Sequence, residues 1–233
     1  MSERFLLDSP PRDGRATLTG DEARHLARVL RAKVGDEIRV FDGGGREWPA
    51  RVATIDRDAV ALTVGASLPA QPGPARPLTI AVALPKGDRQ KWLVEKLTEL
   101  GAERLAPLVT ARGVAEATAS AQARLARGVI EACKQCGRNT LMEIAAGRPL
   151  DRLLAEVPAG ACVVIAHPGG RSLDAAAVPA EATEIIALVG PEGGFSDEEV
   201  CISDRAGVIR ISLGPHILRV ETAAIALAAR FVR

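Results

Sequence analysis

The chain opens with short alternating apolar and polar runs and later changes to longer continuous apolar ones. "EIRVFDGGGREWPARVATI" alternates on both sides of an Asp-Gly-Gly-Gly tip, which predicts a hairpin. "AVALTVGASL" predicts a further strand by its β-branched alternation. Before them, "DEARHLARVL" has helical spacing, with Leu26, Val29 and Leu30 as its apolar face and Thr19 or Asp21 as cap. Residues 1–68 therefore read as a small β-rich domain. "PAQPGPARP", residues 69–77, is a proline-rich connector with little scope for regular structure.

From Leu78 onward the apolar runs are continuous and alternate with helical patterns. "LTIAVAL", "RLAPLVT", "CVVIAH", "EIIALVG" and "VIRISLG" predict buried strands. "DRQKWLVEKLTELG" places Trp92, Leu93, Leu97 and Leu100 at helical spacing, with Gly101 as stop. "ASAQARLARGVIEACKQCG", "SDEEVCISDRAG" and "ILRVETAAIALAARFV" predict three more helices. Residues 78–233 are thus expected to form an α/β domain with a mostly parallel sheet.

Composition narrows the class. The chain has 233 residues, 47% of them hydrophobic, which suits a globular protein. No run approaches the roughly 18–20 apolar residues of a membrane span. "MSERFLLDSP" lacks a basic region followed by a long apolar stretch, so a cytoplasmic location without membrane partners is expected. The net charge of +1 gives no global pull toward nucleic acid, so an RNA site must be a local patch.

Such patches exist. "RHLARVLRAK" carries Arg24, Arg28 and Arg31; "PKGDRQKW" carries Lys86, Arg89 and Lys91; "KQCGRN" carries Lys134 and Arg138. Arg28, Arg31, Lys86 and Arg138 are the candidate RNA contacts, expected away from any cofactor. A solvated basic face is the commoner meaning of any one cluster alone. Aromatics make up 3% of the chain, too few for a base-stacking platform. Cys133 and Cys136 form a C-x-x-C, a spacing that suits zinc or a redox pair. No second ligand pair accompanies it and the local pattern is helical, which favours ordinary helix cysteines; no metal is expected.

Ligands of parallel α/β sheets sit beyond the carboxyl ends of the strands. Three strand ends carry distinctive loops: "HPGG" (167–170), "GPEGGFSDEE" (190–199) and "LGPHILR" (213–219). The second matches neither G-x-G-x-x-G nor G-x-x-x-x-G-K-[ST]. Ser196 and Glu199 are spaced as a capping box, and Asp197 and Glu198 also load the helix start. Those carboxylates would repel a phosphate, and the loop holds no lysine. A phosphate-free ligand held by backbone groups fits better; a plain strand–helix connection is the alternative.

"LVGPEGGFSDEE" with "LGPHILRVETA" resembles the SPOUT-class methyltransferases of the RsmE type, which methylate N3 of a uridine in bacterial 16S ribosomal RNA using S-adenosylmethionine. "HLARVLRAKVGD", "PKGDRQKWLVEKLTELG" and "EACKQCGRN" extend the resemblance over most of the chain. It implies a PUA-like β-barrel for RNA, then a SPOUT-type parallel sheet with a C-terminal trefoil knot, acting as a homodimer on 16S ribosomal RNA of the small subunit. It implies a cofactor site at His167, Pro168, Gly190, Pro191, Glu192, Gly193, Gly194, Leu213, Gly214, Ile217, Leu218 and Thr222. His216 and Val220 depart from the arginine and threonine usual in that family. For such a reaction the expected catalytic pair is Arg219 and Glu221: Glu221, or a water it holds, takes the N3 proton, and Arg219 stabilises the developing uracil oxyanion. A structural ion pair is the other reading of these two. An RNA-binding module without catalysis, and an enzyme of the same class acting on another RNA or on ribose 2′-OH, also remain open. The apolar last helix is expected to supply the dimer surface.

Overall fold

In the computed structural model, described for residues 3–114, 118–172 and 178–232, the chain divides into two compact units. The first comprises residues 1–73 and 133–141, the second residues 74–132 and 142–233. The sequence places 133–141 within the second domain; the structure groups it with the first.

In the first unit, strands β1 (Arg4–Leu6), β2 (Arg15–Thr19), β3 (Glu37–Phe41), β4 (Glu47–Ile55) and β5 (Ala59–Val64) form one sheet of order β1-β3-β4-β5-β2. Its pairs are antiparallel except β1 with β3. Alternation along the strands sends Phe5, Leu18, Val40, Val52 and Leu62 into one core. The expected hairpin forms with Asp42 as its hub. The Asp42 carboxylate accepts from the Gly44 and Arg46 backbone N–H groups at 2.9 and 3.1 Å and from Arg46 Nε at 2.8 Å. Burial pushes the Asp42 carboxyl up, but these bonds outweigh it and hold it below its ordinary value.

The helix after β2 is shorter and less regular than its pattern predicts. It is α-helical over α1 (Gly20–Arg24) and widens to a π-helix over His25–Val29. Thr19 occupies the cap position without capping, because its hydroxyl donates to Asp8. Leu26 is buried, but Val29 and Leu30 are exposed, so the expected apolar face is only partly used. Residues 133–141 belong here because buried Arg4 donates to the Cys133 carbonyl and to the Asn139 side chain, and residues 139–141 pair with the hairpin tip.

In the second unit, β6 (Leu78–Val82), β7 (Arg104–Val109), β8 (Glu143–Ile144), β10 (Cys162–Ser172), β11 (Ile185–Val189) and β12 (Ile209–Ser212) form a parallel sheet of order β12-β10-β11-β6-β7-β8. The two-residue β9 (Arg148–Pro149) pairs with β7. β6 and β11 are buried at every residue, which is why their sequences are uninterrupted apolar runs. Helices α2 (Arg89–Leu100), α3 (Ala119–Cys136), α4 (Leu150–Ala155), α5 (Asp197–Arg205) and α6 (Val220–Phe231) complete it. Gly101, in the left-handed conformation at φ 95°, ends α2 as expected.

Two features at the end of the chain differ from the pattern. α6 begins at Val220 rather than Ile217, with Arg219 as its N-cap residue, and Ile217 is 90% exposed. α6 packs on α2, β11 and β6 within its own chain, which buries Val220, Ala223, Ala224, Leu227, Ala228 and Phe231 and leaves Ile225 and Ala226 half-buried. β12 lies at the sheet edge outside β10, yet the next helix packs over β11 and β6. Residues 213–219 thus carry the chain back across the sheet, the return path that the expected knot requires.

Candidate active site

Strand order decides which loops meet. β12, β10 and β11 are neighbours, so the segments at their carboxyl ends lie side by side. In β10 the pairing with β12 jumps from Ala166 to Arg171, which leaves residues 167–170 as a bulge in the strand. The bulge is closed by His167 Nδ1, which accepts from the Gly169 N–H at 3.0 Å. After β11, the Gly194 N–H donates to the Pro191 carbonyl at 2.8 Å and closes a Pro-Glu-Gly-Gly turn. After β12, Gly214 takes φ 124°, a conformation that favours glycine, before the chain enters α6.

These three segments enclose a cavity of about 410 Å³. His167, Pro168, Gly190, Pro191, Glu192, Gly193, Gly194, Leu213, Gly214, Ile217 and Leu218 line it. Thr222 does not: it is exposed on α6. Phe195 forms part of the wall and is buried against Gly190, where a Cβ would meet the ring at 2.9 Å. The Ser196–Glu199 capping box forms, with the Ser196 hydroxyl accepting from the Glu199 N–H at 3.2 Å and Glu199 accepting from the Ser196 N–H at 2.7 Å.

The expected catalytic pair is not brought together. Arg219 is exposed and forms no ion pair with Glu221 among the described residues. Glu221 is buried, with its side chain 6% exposed, and does not line the cavity. Its Oε2 lies 3.7 Å from Arg89 Nη1 and has no hydrogen-bond partner among the described residues. The same Arg89 nitrogen donates to Glu192 Oε1 at 2.8 Å. The Glu192 carboxyl is held below its ordinary value, first by its own backbone N–H and then, against the opposing effect of burial, by Arg89 and Lys86. Of these, Lys86 contributes the smallest effect.

Arg112 is a second arginine that sequence reasoning missed. It donates to the carbonyls of Gly193 at 2.8 Å and Phe195 at 3.3 Å, while the Ala111 N–H donates to Glu199 at 2.8 Å. Arg89 carried one local signal. It sits in the first turn of α2, directly after the N-cap residue Asp88, at the positive helix end. A cation there is unfavourable unless something else holds it.

Of the other RNA candidates, Arg28 is exposed and reaches the Arg57 carbonyl at 3.4 Å. Arg31 is exposed just beyond the π-helix at φ 53°. Arg138 is half-buried in the 133–141 segment. Its neighbour Lys134 is already paired with Glu22 at 3.0 Å. Burial pushes the Cys133 thiol up to about 11. Among the described residues no group of three or more His, Cys, Asp or Glu is arranged to hold a metal, and no helix is long and apolar enough to cross a membrane.

Residues 72–232 match the RNA methyltransferase domain, and residues 18–65 match the RNA methyltransferase PUA domain. The ribosomal RNA small subunit methyltransferase E of Synechocystis sp. is 34% identical over 89% of this chain and 69% of its own length. That of Mycobacterium bovis is 33% identical over 94% of this chain and 87% of its own. The crystal structure of the corresponding Neisseria gonorrhoeae protein bound to S-adenosyl methionine superposes with a TM-score of 0.90, at 28% identity, over 98% of this chain and 96% of that one. A two-domain match in the expected order, on a sheet whose loops build one cavity, makes this chain a member of the ribosomal RNA small subunit methyltransferase E family of RNA methyltransferases.

Proposed function

We propose that this protein transfers a methyl group from S-adenosylmethionine to N3 of a uridine in 16S ribosomal RNA of the small subunit. The observation that carries this reading is the cavity itself. At about 410 Å³ it falls in the range of small-molecule sites. Its loops offer backbone groups and the anionic Glu192, with no lysine of their own, which suits a ligand with a cationic sulfonium and no phosphate. The donor supplies an electrophilic methyl: the S–CH₃ bond breaks as the N3–CH₃ bond forms, and the electron pair stays on sulfur.

The protein's part is orientation and charge. The three loops would hold donor and base in line, replacing a random encounter by a fixed approach. Uridine N3 is protonated at neutral pH and must lose its proton as the bond forms. Arg219, exposed next to cavity-lining Leu218, is our candidate for stabilising the negative charge that spreads to the uracil oxygens. Glu221, buried beside Arg89 and outside the cavity lining, is a poor proton acceptor in this arrangement; we assign the proton to water at the cavity mouth.

The first unit is proposed to hold the RNA, with Arg28, Arg31 and Arg138 among its contacts; Lys86, in the second unit, is a separate candidate contact. The protein is proposed to work in the cytoplasm as a homodimer, for which exposed Ile217 and Trp92 are candidate contacts; light scattering that returns only a monomer at micromolar concentration would remove that element. The function is tested by incubating purified protein with methyl-labelled S-adenosylmethionine and small ribosomal subunits from cells lacking the gene. Label recovered as 3-methyluridine is expected. Label on ribose 2′-OH, or none, would overturn the reading.

A further inference from the structure

Arg89, Glu192 and Glu221 come from three separate elements that adjoin β6 and β11. Arg89 opens α2 after β6, Glu192 sits in the loop after β11, and Glu221 lies in the first turn of α6, which packs on both strands. One guanidinium nitrogen faces both carboxylates, at 2.8 Å from Glu192 and 3.7 Å from Glu221.

The two carboxylates are not equivalent. Glu192 lines the cavity and its side chain is 41% exposed, so water can solvate it without Arg89. Glu221 is buried and lacks a hydrogen bond on Oε2, so the guanidinium is its main compensation. Glu221 is fixed in a helix, whereas Glu192 rides on a turn. On the other flank, Arg112 holds the carbonyls of Gly193 and Phe195 in the same turn.

We infer that Arg89 is a positioning residue for the cavity: Glu221 anchors its guanidinium, and the guanidinium fixes Glu192 and the 190–194 turn against the start of α6. This rests on the reading of the cavity as the methyl-donor site. Arg89 touches no reacting atom. It acts through Glu192, and Glu221 acts through Arg89. The arrangement depends on one guanidinium nitrogen lying within reach of both carboxylates, a position that the arginine stem and head set together.

The test uses the full chain, with calorimetric binding of S-adenosylmethionine and of the neutral product S-adenosylhomocysteine, and thermal midpoints measured alongside. Arg89→Met is expected to weaken both ligands by the same factor, about ten- to a hundredfold, as a misplaced turn would. Arg89→Lys is expected to fall between Arg89→Met and wild type. Arg89→Met removes the counter-charge of a buried carboxylate, so the double variant Arg89→Met/Glu221→Gln serves as the folded control. Its midpoint should recover toward wild type while its affinity stays low, and Glu221→Gln should cost nothing further once Arg89 is gone. Wild-type affinity in Arg89→Met would overturn the inference. So would affinity that recovers in step with the midpoint in the double variant, since that marks a purely structural pair. A changed ratio of the two ligands would do the same, since that marks an effect on the sulfonium charge. Wild-type protein that binds neither ligand would instead overturn the donor-site reading on which the inference rests.

Discussion

Gly190→Ala isolates the packing that shapes the cavity. A Cβ at this position would lie 2.9 Å from Cδ2 and Cε2 of Phe195 and 3.3 Å from Cζ. Ordinary contact begins near 3.4 Å, so the ring or the backbone must give by about half an ångström or more. Phe195 is 8% exposed and belongs to one core cluster with Leu188, Ile165 and Ala106, which resists displacement of the ring away from the cavity. Overpacking of this kind costs about 1–3 kcal/mol. At about 2–4 °C per kcal/mol for a chain of this size, the thermal midpoint should fall by roughly 2–12 °C. The backbone is the softer element, so the 190–194 turn should shift and affinity for S-adenosylmethionine should drop with it. Gly193→Ala is the matched control. There a Cβ would meet only the flexible Arg112 side chain, at 3.4 Å, and the residue is not in a left-handed conformation. Differential scanning fluorimetry and titration calorimetry on both variants decide the matter. Equal midpoints and affinities for the two variants would refute the packing argument.

Ser196→Ala should lower stability by about 1 kcal/mol, measured by urea unfolding, because the Glu199 N–H at the start of α5 loses its capping partner. At pH 8, excess iodoacetamide should label Cys136 and Cys201, which are exposed, well before buried Cys133 and Cys162, as peptide mass spectrometry would show. The Cys133 thiol ionises from about 9 when unfolded but only near 11 when folded, so its contribution to stability should be lost as pH rises through that window. Alanine at Arg28, Arg31 or Arg138 should weaken RNA binding and flatten its salt dependence by roughly 0.7–0.9 per lost phosphate contact, with cofactor affinity unchanged. Lys86→Ala should alter both, because Lys86 also acts on Glu192.

What the sequence made legible was local. The buried strands announced themselves as apolar runs, and Gly-Pro punctuation marked the three segments that enclose the cavity. The capping box could be read because its two bonds join residues three apart. The anchors of the cavity turn could not be read this way. Arg89 meets Glu192 across 103 residues and Arg112 meets Gly193 across 81, and only the strand order of the folded sheet brings them together. The same limit explains the grouping of residues 133–141 with the first unit, since Arg4 reaches Cys133 from 129 positions away. Helical spacing also overran its element. Ile217 fits the period of α6 but lies before its first turn. Arg219 and Glu221 stood close in sequence, yet the true partner of Glu221 came from α2.

The central claim is methylation of uridine N3 in small-subunit ribosomal RNA. Nucleoside mass spectrometry of 16S ribosomal RNA, from cells with and without this gene, tests it most directly. 3-Methyluridine should be present with the gene, absent without it, and restored by the wild-type gene but not by one carrying Gly190→Ala and Gly214→Val together. An unchanged content of 3-methyluridine in cells lacking the gene would contradict it.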